Sequence, residues 1–539
     1  MTDILLSLIT FIPLLVAVGL LFINKDQHEL IKRISAVAVG IQLILSVLLF
    51  ILFEGQNKPS SWAELFQFVE KASWINLYLG DYGWLKIDYF VGVDGLSMLM
   101  VVLSAILLFI GIISSWSLQK SVKGYFILYL ILSTSIIGCF VALDFFLFYL
   151  FFEFMLLPMF FLIGIWGGPK RGYASIKFFL YTLVGSLLIL IVMIGLYLSV
   201  EEPATMDGMT VHSFSLVNMM QGGYIDGGVL SPAAGISWGG IDLRIIAFVL
   251  LMVGFAIKLP AVPIHTWLPD AHVEAPTAVS VILAGVLLKV GGYGFFRIAY
   301  SIFPDAAIEM AYPIAILGLV SIVYGGMVAM AQNDLKRMIA YSSVSHMEFI
   351  LLGLGSMTVQ GVSGSVYQMV SHGFISGALF LVAGVIYDRT GDRRINNFSG
   401  LASLMPRFTF FTVLFFFASL GLPGLSGFVG EFLVFLGSIG SSHIPSWVGI
   451  VAIAGIVISA AYYLWALQRM FFGKFWTREK EWESKMADLT AREWSMLIPL
   501  AILVVLLGLY PNFILNPVNN SIEFFVNECL ARGEFYFTQ

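Results

Sequence analysis

The sequence predicts an all-α polytopic membrane protein with about fourteen transmembrane helices, and three observations support this fold class. The chain has 539 residues, of which 59% are hydrophobic and only 11% charged, whereas soluble proteins carry about 25% charged residues. Apolar runs long enough to cross a bilayer core, which takes roughly 20 helical residues, recur along the chain. The loops between these runs alternate between basic and nearly uncharged. A soluble protein is thereby excluded, and the net charge of −5 gives no indication of nucleic-acid binding.

The apolar runs define the predicted spans, which are numbered 1 to 14 in chain order. No barrel-type alternating segments occur between them, and this favours helices over strands as the membrane-crossing elements. We expect spans near residues 4–23, 34–53, 91–113, 124–141, 144–166, 174–199, 243–258, 272–298, 308–331, 337–356, 363–387, 406–437, 446–472 and 494–515.

The loop charges predict the orientation, because Lys and Arg concentrate on the cytoplasmic side of membrane proteins. Both termini are then expected on the outer side, together with loop 54–90, which mixes lysines with acidic and aromatic residues. The first span lacks a cationic leader and a cleavage site, so we expect it to be retained. The basic loops are 25–33, 118–123, 167–172, 333–337, 388–394 and 469–493, and the nearly uncharged loops are 200–242, 299–307, 356–362 and 438–446.

Two spans contain residues that break helices. Span 7 runs into FAIKLPAVPIHTWLPD (255–270), and span 12 contains FASLGLPGLSGFVGEF (417–432). Such breaks survive in lipid only where protein or a polar cavity satisfies the backbone. The two broken spans lie five apart, an odd offset that reverses topology, so spans 4–8 and 9–13 are predicted to form two inverted five-helix repeats.

The same reasoning divides the chain into four parts. Residues 1–122 hold spans 1–3 and the outer loop, 123–300 the first repeat, and 301–475 the second. Residues 476–539 hold an interfacial segment and span 14, and GKFWTREKEWESKMADLTARE (473–493) has an amphipathic composition typical of an interfacial location.

Six titratable residues on six spans are predicted to lie near one membrane depth. At 1.5 Å per residue, the carboxylate of span 5 lies roughly 13 Å into its helix, close to half the bilayer core. A central charge costs about 2.5–3.5 kcal/mol, so these groups must pair, meet water or stay partly neutral. The six are Glu153, Lys258, Lys289, His346, His372 and Glu431.

The arrangement favours a proton relay, because an opposite charge stabilises an ionised group and its withdrawal makes a lysine a proton donor. A Glu153–Lys258 contact would hold both residues charged, and weakening it would release the proton. A plainer interpretation remains for each residue alone: a single buried Glu joins helices by hydrogen bonds, and a single buried His is more often a satisfied core residue. Six groups at one depth, two of them at broken helices, favour the relay.

Five other polar residues are expected to have structural roles. Lys177 lies near the inner end of span 6 and is expected to extend to the interface. Asp94 and Asp144 precede apolar runs and are expected to cap helices. Lys336 and Arg337 are expected to mark topology.

No cofactor is expected in this chain. Cys139 and Cys529 show neither metal-ligand spacing nor a disulfide framework. No His/Cys/Asp cluster, Gly-rich phosphate loop or haem motif occurs, so we expect no redox centre here.

Four stretches carry a family resemblance. They resemble the antiporter-like subunits of proton-translocating NADH:quinone oxidoreductase (complex I), and most closely the M-type, or chain 4, subunits. The longest stretch is specific to this family and its Mrp antiporter relatives, and the resemblance implies fourteen helices with two inverted repeats. The stretches are FFEFMLLPMFF, GFAIKLPAVPIHTWLPDAHVEAPTAVSVILAGVLLKVGGYG, NDLKRMIAYSSVSHM and GLPGLSGFVGEF.

The resemblance also implies roles for the six residues. It implies that Glu153 pairs with Lys258, that Lys289 is the central relay group, that the two histidines continue the polar axis, and that Glu431 ends it. Glutamate at this last position is similar to M-type members, whereas L- and N-type members usually carry lysine. Glu348 departs from the family pattern of a small residue. It lies about 200° around the helix from the nearby histidine, and either faces a neighbouring subunit or adds a group to the axis.

The resulting expectation is a membrane-arm subunit that conducts protons, driven by quinone reduction elsewhere in the complex. NADH, FMN, iron–sulfur clusters and quinone are expected in partner subunits, and L- and N-type chains are expected as neighbours. The expected location is a bacterial inner membrane. The alternatives are a subunit of an Mrp-type cation/proton antiporter or of a membrane hydrogenase, and, from another class, a membrane scaffold.

Overall fold

The computed structural model describes residues 4–55, 57–78, 80, 84–202, 211–225 and 227–538, with side chains through residue 533. Within this part of the chain, eleven helices are long and apolar enough to cross a membrane. They are His28–Leu52, Gly95–Ser117, Val122–Val141, Phe145–Trp166, Arg171–Tyr197, Thr277–Tyr300, Ala311–Met330, Leu335–Gly355, Val359–Thr390, Ser446–Met470 and Ala491–Leu509. The chain is therefore a mostly helical, multi-pass membrane protein.

The remaining predicted spans are shorter or broken helices. Span 1 is Leu5–Leu20. Span 7 is Leu243–Lys258, and a separate short helix, Trp267–Glu274, follows it after an irregular turn and includes the first residues predicted for span 8; span 12 consists of Pro406–Ser419 and Ser426–Ile439. The breaks lie where prolines and glycines remove backbone donors or loosen the helix. Membrane crossing by these shorter helices, the total of fourteen and the inverted repeats stay predictions.

Several long spans also contain local irregularities. Span 8 carries two π-helical turns, at Leu283–Leu287 and Phe295–Tyr300, and these lie on either side of Lys289. The other segments are Thr277–Ile282 and Leu288–Gly294 in span 8, Phe145–Phe154 and Leu156–Trp166 in span 5, Leu335–Met347 and Phe349–Gly355 in span 10, and Ser446–Ala452 and Ala454–Met470 in span 13.

A β-hairpin occupies much of the predicted outer loop 54–90. Strand β1 (Gln67–Tyr78) pairs antiparallel with β2 (Trp84–Val93), and β2 pairs in parallel with the short β3 (Val211–Ser213). The first residues assigned to span 3 belong to β2, because the helix begins only after Asp94, whose side chain accepts a hydrogen bond from the Ser97 amide. We call the side of the molecule that carries this sheet the hairpin face.

A C-terminal helix, Asn512–Thr538, follows span 14 and was not predicted. Span 14 ends at Leu509 rather than near residue 515, and the interruption lies at Pro511, whose missing amide cannot continue a helix. The C-terminal helix contacts spans 3 and 11, and Gly95 N donates to Ser521 Oγ at 3.3 Å.

Short elements fill the remaining loops. In the predicted interfacial segment 473–493, Trp482 is buried and stacks on Phe398 at 5.2 Å between ring centroids. The elements are the helices Leu216–Gln221, Pro304–Glu309 and Glu481–Lys485, the 3-10 turns Ser115–Ser117, Pro232–Ala234, Ile395–Asn397 and Leu401–Ser403, and the strand pairs Ser237–Trp238 with Ile241–Asp242 and Phe398–Ser399 with Trp476–Thr477.

Three spans form the centre of the helix bundle. The most apolar 18-residue segment of each long helix shows how deeply that helix is buried. The share of this segment that is buried is 100% in Thr277–Tyr300 and Val359–Thr390 and 94% in Leu335–Gly355, against 33% in His28–Leu52. These central spans 8, 11 and 10 are also the ones that carry Lys and His at mid-helix. The polar groups therefore lie in the helices that lipid reaches least.

Candidate functional site

Two of the predicted residues are joined directly on spans 8 and 11. Lys289 Nζ lies 2.7 Å from His372 Nδ1 and also donates to the Ala284 carbonyl at 2.7 Å. Ala284 belongs to the π-helical turn of span 8, five residues before the lysine. Both side chains are buried. One short hydrogen bond therefore connects an amine and an imidazole, two groups between which a proton can move.

Glycines bring the two helices close enough for this contact. A methyl group added at Gly373, the residue after His372, would lie 3.0 Å from the Gly285 carbonyl oxygen and 2.8 Å from Leu103 Cδ1. Ordinary contacts between carbon atoms are about 3.5–4.0 Å long. Spans 8 and 11 thus cross backbone to backbone beside the Lys289–His372 hydrogen bond, and span 3 closes the crossing with leucine side chains.

A second pair continues the row on spans 10 and 12. His346 Nδ1 lies 3.1 Å from Glu431 Oε1, and both residues are buried. The rings of His346 and His372 lie with their centroids 6.2 Å apart and their planes tilted by 45°. Lys289, His372, His346 and Glu431 therefore form one row of four residues that runs from span to span through the centre of the bundle.

The break of span 12 lies beside the end of this row. Gly421 has φ +79°, the left-handed region that glycine adopts without a steric cost, and its α-carbon faces Glu431 Oε2. At the start of the second half-helix, Ser371 Oγ donates to Ser426 Oγ at 2.9 Å. The interruption thus places polar backbone and hydroxyl groups next to a buried carboxylate.

Lys258 and Glu153 are not joined in this structure. The Lys258 ammonium lies 4.5 Å from the centroid of the Phe152 ring, is 2% exposed, and has no hydrogen-bond partner among the described residues. Glu153 Oε1 is buried and likewise lacks a partner there. The Lys258 backbone nevertheless packs against span 8, because a methyl group at Gly291, two residues after Lys289, would be 3.0 Å from Lys258 Cβ.

A buried histidine of the short helix Trp267–Glu274 was not among the predicted site residues. His272 is fully buried, and its ring stacks on Phe380 with 4.3 Å between centroids and 10° between planes. Neither ring nitrogen has a hydrogen-bond partner among the described residues. The signal was a histidine at the end of WLPDAH (267–272), two residues after the proline-containing stretch 255–270.

Lys336 is more than a topology marker. It is buried, and its ammonium donates to the Ala275 carbonyl at 2.5 Å. It lines a cavity of about 510 Å³ with Glu274, Asp388 and Arg393, on the face opposite the hairpin face. Ala275 directly follows the short helix Trp267–Glu274, which carries His272, so Lys336 links the cavity to the end of this helix.

The other polar residues singled out from the sequence have structural contacts. Asp94 caps span 3 and pairs with the buried Arg297 at 2.6 Å. Asp144 caps span 5 by accepting from a backbone amide. Lys177, which was expected to extend to the interface, pairs with Asp270 at 2.7 Å.

Glu348 lies at the junction of the two helices of span 10. Its side chain is 0% exposed, so it is enclosed by this chain rather than presented to a neighbouring subunit. Its carbonyl lies against span 9, where a methyl group at Gly318 would be 3.0 Å away. Its carboxylate oxygens have no hydrogen-bond partner among the described residues.

No group of three or more His, Cys, Asp or Glu residues in the described ranges is arranged to hold a metal ion. Cys139 and Cys529 are both buried and free.

Comparison with known proteins places this arrangement in a family. Residues 142–459 match the family described as NADH:quinone oxidoreductase/Mrp antiporter, TM. NADH-quinone oxidoreductase subunit M of Rhodobacter capsulatus is 42% identical over 97% of this chain and 96% of its own length. The protein of the same name from Rickettsia prowazekii is 37% identical over 96% of this chain and 98% of its own length.

Solved structures agree with these relatives. A chain of respiratory complex I from Thermus thermophilus superposes with a TM-score of 0.77 and 28% identity, covering 98% of this chain and 100% of that one. A chain of the Mrp complex from Dietzia sp. DQ12-45-1b gives a TM-score of 0.79 at 19% identity over 99% of both chains, a likeness of fold alone. This chain therefore belongs to the NADH:quinone oxidoreductase/Mrp antiporter family and, within it, to the M-type antiporter-like subunits of complex I.

Proposed function

We propose that this chain conducts protons across the membrane as a membrane-arm subunit of a respiratory NADH:quinone oxidoreductase, driven by quinone reduction elsewhere in the complex. The observation that supports this most directly is the row Lys289–His372–His346–Glu431, with direct contacts of 2.7 and 3.1 Å at its two ends. Each member binds and releases protons, and each lies where its neighbour's charge acts through a protein interior rather than through water.

The proposed mechanism is a change of charge that passes from one residue to the next. Two unit charges about 4 Å apart interact by about 4 kcal/mol at an effective dielectric constant of 20, which is enough to redistribute a proton between neighbouring bases. The proton affinities therefore belong to the coupled set rather than to single residues. In this mechanism Glu153 and Lys258 begin the row, and Glu431 ends it.

Proton uptake is assigned to the cavity beside Lys336. Lys336 lines this cavity, and its ammonium donates to the carbonyl of Ala275, three residues after His272, so a proton entering from this face first meets the titratable group of Lys336. The basic loops 333–337 and 388–394 border the same face, and by the positive-inside rule it is cytoplasmic. Both termini would then lie on the outer side, with the hairpin face, in a bacterial inner membrane.

The partners in this proposal follow from the family. NADH, FMN, iron–sulfur clusters and quinone would bind other subunits, and the L- and N-type antiporter-like chains would be neighbours in the membrane arm. The two five-helix units, residues 123–300 and 301–475, would be inverted repeats, each with one broken helix beside one of the lysine or glutamate groups.

The test uses the assembled complex in proteoliposomes with Glu153→Ala and Lys258→Ala. Both variants are expected to assemble and to lose coupled proton pumping. Unchanged proton transfer in either variant would refute the relay and favour the scaffold alternative. Purification in mild detergent separates the remaining alternatives, since flavin and iron–sulfur subunits accompany a complex I subunit, whereas small antiporter chains accompany an Mrp subunit.

A further inference from the structure

Lys258 occupies an aromatic site rather than an ionic one. Its ammonium lies 4.5 Å from the centroid of Phe152, inside the range of about 6 Å in which the face of an aromatic ring attracts a cation. Phe255 packs edge-on against Phe152 at 6.3 Å, and Phe148 lies 5.8 Å from it on the next turn. The ring that holds the ammonium is thus fixed in place by two further rings.

The alternative site for the Lys258 ammonium is Glu153, the residue after Phe152 in span 5. Glu153 follows Phe152 directly, so the carboxylate and the ring face leave span 5 about 100° apart. Lys258 has a flexible four-carbon side chain, which allows its head group to move between neighbouring positions while the backbone stays still. The unpaired buried oxygen of Glu153 and the unpaired ammonium of Lys258 are the two halves of a contact that this conformation leaves open.

We propose that Phe152 is a positioning residue that provides a second resting site for the Lys258 ammonium. The ammonium alternates between the carboxylate of Glu153 and the face of the Phe152 ring. The inference rests on the proposed proton relay and adds a regulating element to its first step. The ring lets the lysine leave the carboxylate while it still carries its proton.

The ring selects the charge state of the lysine. A protonated amine is attracted by the negative face of the ring, and a neutral amine is not. In a desolvated site the attraction favours the bound position by about 30-fold. Phe152 therefore retains the lysine in its charged form. The base of the Lys258 side chain lies beside span 8, where a methyl group at Gly291 would be 3.0 Å from its Cβ, and span 8 carries the next acceptor, Lys289.

The test replaces Phe152 by phenylalanines that carry one, two or three ring fluorines, in the complete complex reconstituted in proteoliposomes. Fluorine withdraws electron density from the ring face but changes the shape of the side chain little. Pumping at a fixed quinone-reduction rate is expected to fall in steps with each fluorine, by up to about 30-fold in all. The matched control is the same series at Phe148, which lies in the same aromatic cluster but does not carry the ammonium, and no trend is expected there.

The outcomes separate the inference from the proposed function. A stepwise loss at Phe152 alone supports the second site, and a flat series at Phe152, or an equal loss at Phe148, overturns it. Lys258→Ala is measured alongside. Normal pumping in that variant refutes the proposed relay, whereas lost pumping together with a flat fluorine series refutes the aromatic site only.

A structural measurement covers the case in which a substituted ring alters assembly. In a Glu153→Gln complex imaged by electron cryomicroscopy, the Lys258 head group is expected over Phe152. In a Phe152→Leu complex it is expected against Glu153. A head group in any other position in the first variant would overturn the inference.

Discussion

The crossing of spans 8 and 11 yields the prediction with the most direct geometry, which is that Gly373→Ala uncouples the relay. The added methyl group would lie 3.0 Å from the carbonyl oxygen of Gly285 and 2.8 Å from Leu103 Cδ1. The leucine side chain can rotate away, but the backbone carbonyl cannot. The two helices must therefore separate by about half an ångström to restore an ordinary contact.

The magnitude follows from the neighbouring hydrogen bond. Lys289 Nζ lies 2.7 Å from His372 Nδ1, and an added separation of about half an ångström brings this pair to the limit of hydrogen-bond geometry. A misplacement of about 1 Å costs roughly 100-fold in rate, so about half that distance is expected to slow proton transfer about tenfold. Overpacking in the core is expected to destabilise the chain by about 1–3 kcal/mol.

The assay measures proton pumping and quinone reduction in the same proteoliposomes. The matched control is Gly377→Ala, one turn further along span 11. Its methyl group would lie 3.1 Å from Leu107 Cδ2 and 3.5 Å from Val281 Cγ1, which are both side-chain atoms. These atoms can move, so pumping is expected near the wild-type rate, with stability unchanged or slightly raised by the better helix propensity of alanine.

Two results would refute this reasoning. One is normal pumping in Gly373→Ala, because the helix crossing would then not set the distance between the lysine and the histidine. The other is an equal loss in Gly377→Ala, which would mean that any added volume on span 11 impairs the subunit.

Three further predictions concern other parts of the site. His346→Ala removes the link to Glu431 and is expected to abolish pumping while the complex still assembles, as checked by proton flux and native gel electrophoresis. Asp94→Asn leaves the buried Arg297 without its charged partner and is expected to cost about 3–5 kcal/mol, seen as a lower unfolding temperature of the detergent-solubilised complex; an unchanged temperature would contradict it. Lys336→Met keeps the side-chain volume but removes the charge at the cavity, so pumping is expected to slow, whereas quinone reduction in the presence of an uncoupler should not.

The sequence predicted those features that local signals carry. Apolar runs locate the long spans, and prolines and glycines locate the breaks after Lys258 and before Glu431, because both depend on neighbours in the chain. Rare charged residues inside apolar runs were equally visible. The row from Lys289 to Glu431 could therefore be listed from the sequence, although its contacts could not.

The missed features depend on tertiary structure. Strand β2 carries an apolar end that continues into span 3, so its last residues resembled the start of a helix. Lys336 lies at the end of a span, where a lysine normally reaches water, and here the ends of neighbouring spans and their loops enclose it. Glu153 and Phe152 are adjacent in sequence. No local pattern distinguishes whether the Lys258 ammonium contacts the carboxylate of the one or the ring of the other.

In the proposed relay, the distances along the row predict which step is slowest. The contacts at the two ends, 2.7 Å for Lys289 with His372 and 3.1 Å for His346 with Glu431, are direct, whereas the two histidine rings lie 6.2 Å apart between centroids. Transfer between the rings therefore needs a bridging water or a rotation of one ring. A scaffold that only joined helices would gain most from closing this gap, since an unfilled hydrogen-bonding position in a buried network is costly. A relay gains from keeping the gap between the two histidine rings. When the gap is bridged only intermittently, one proton at a time passes between the two hydrogen-bonded pairs.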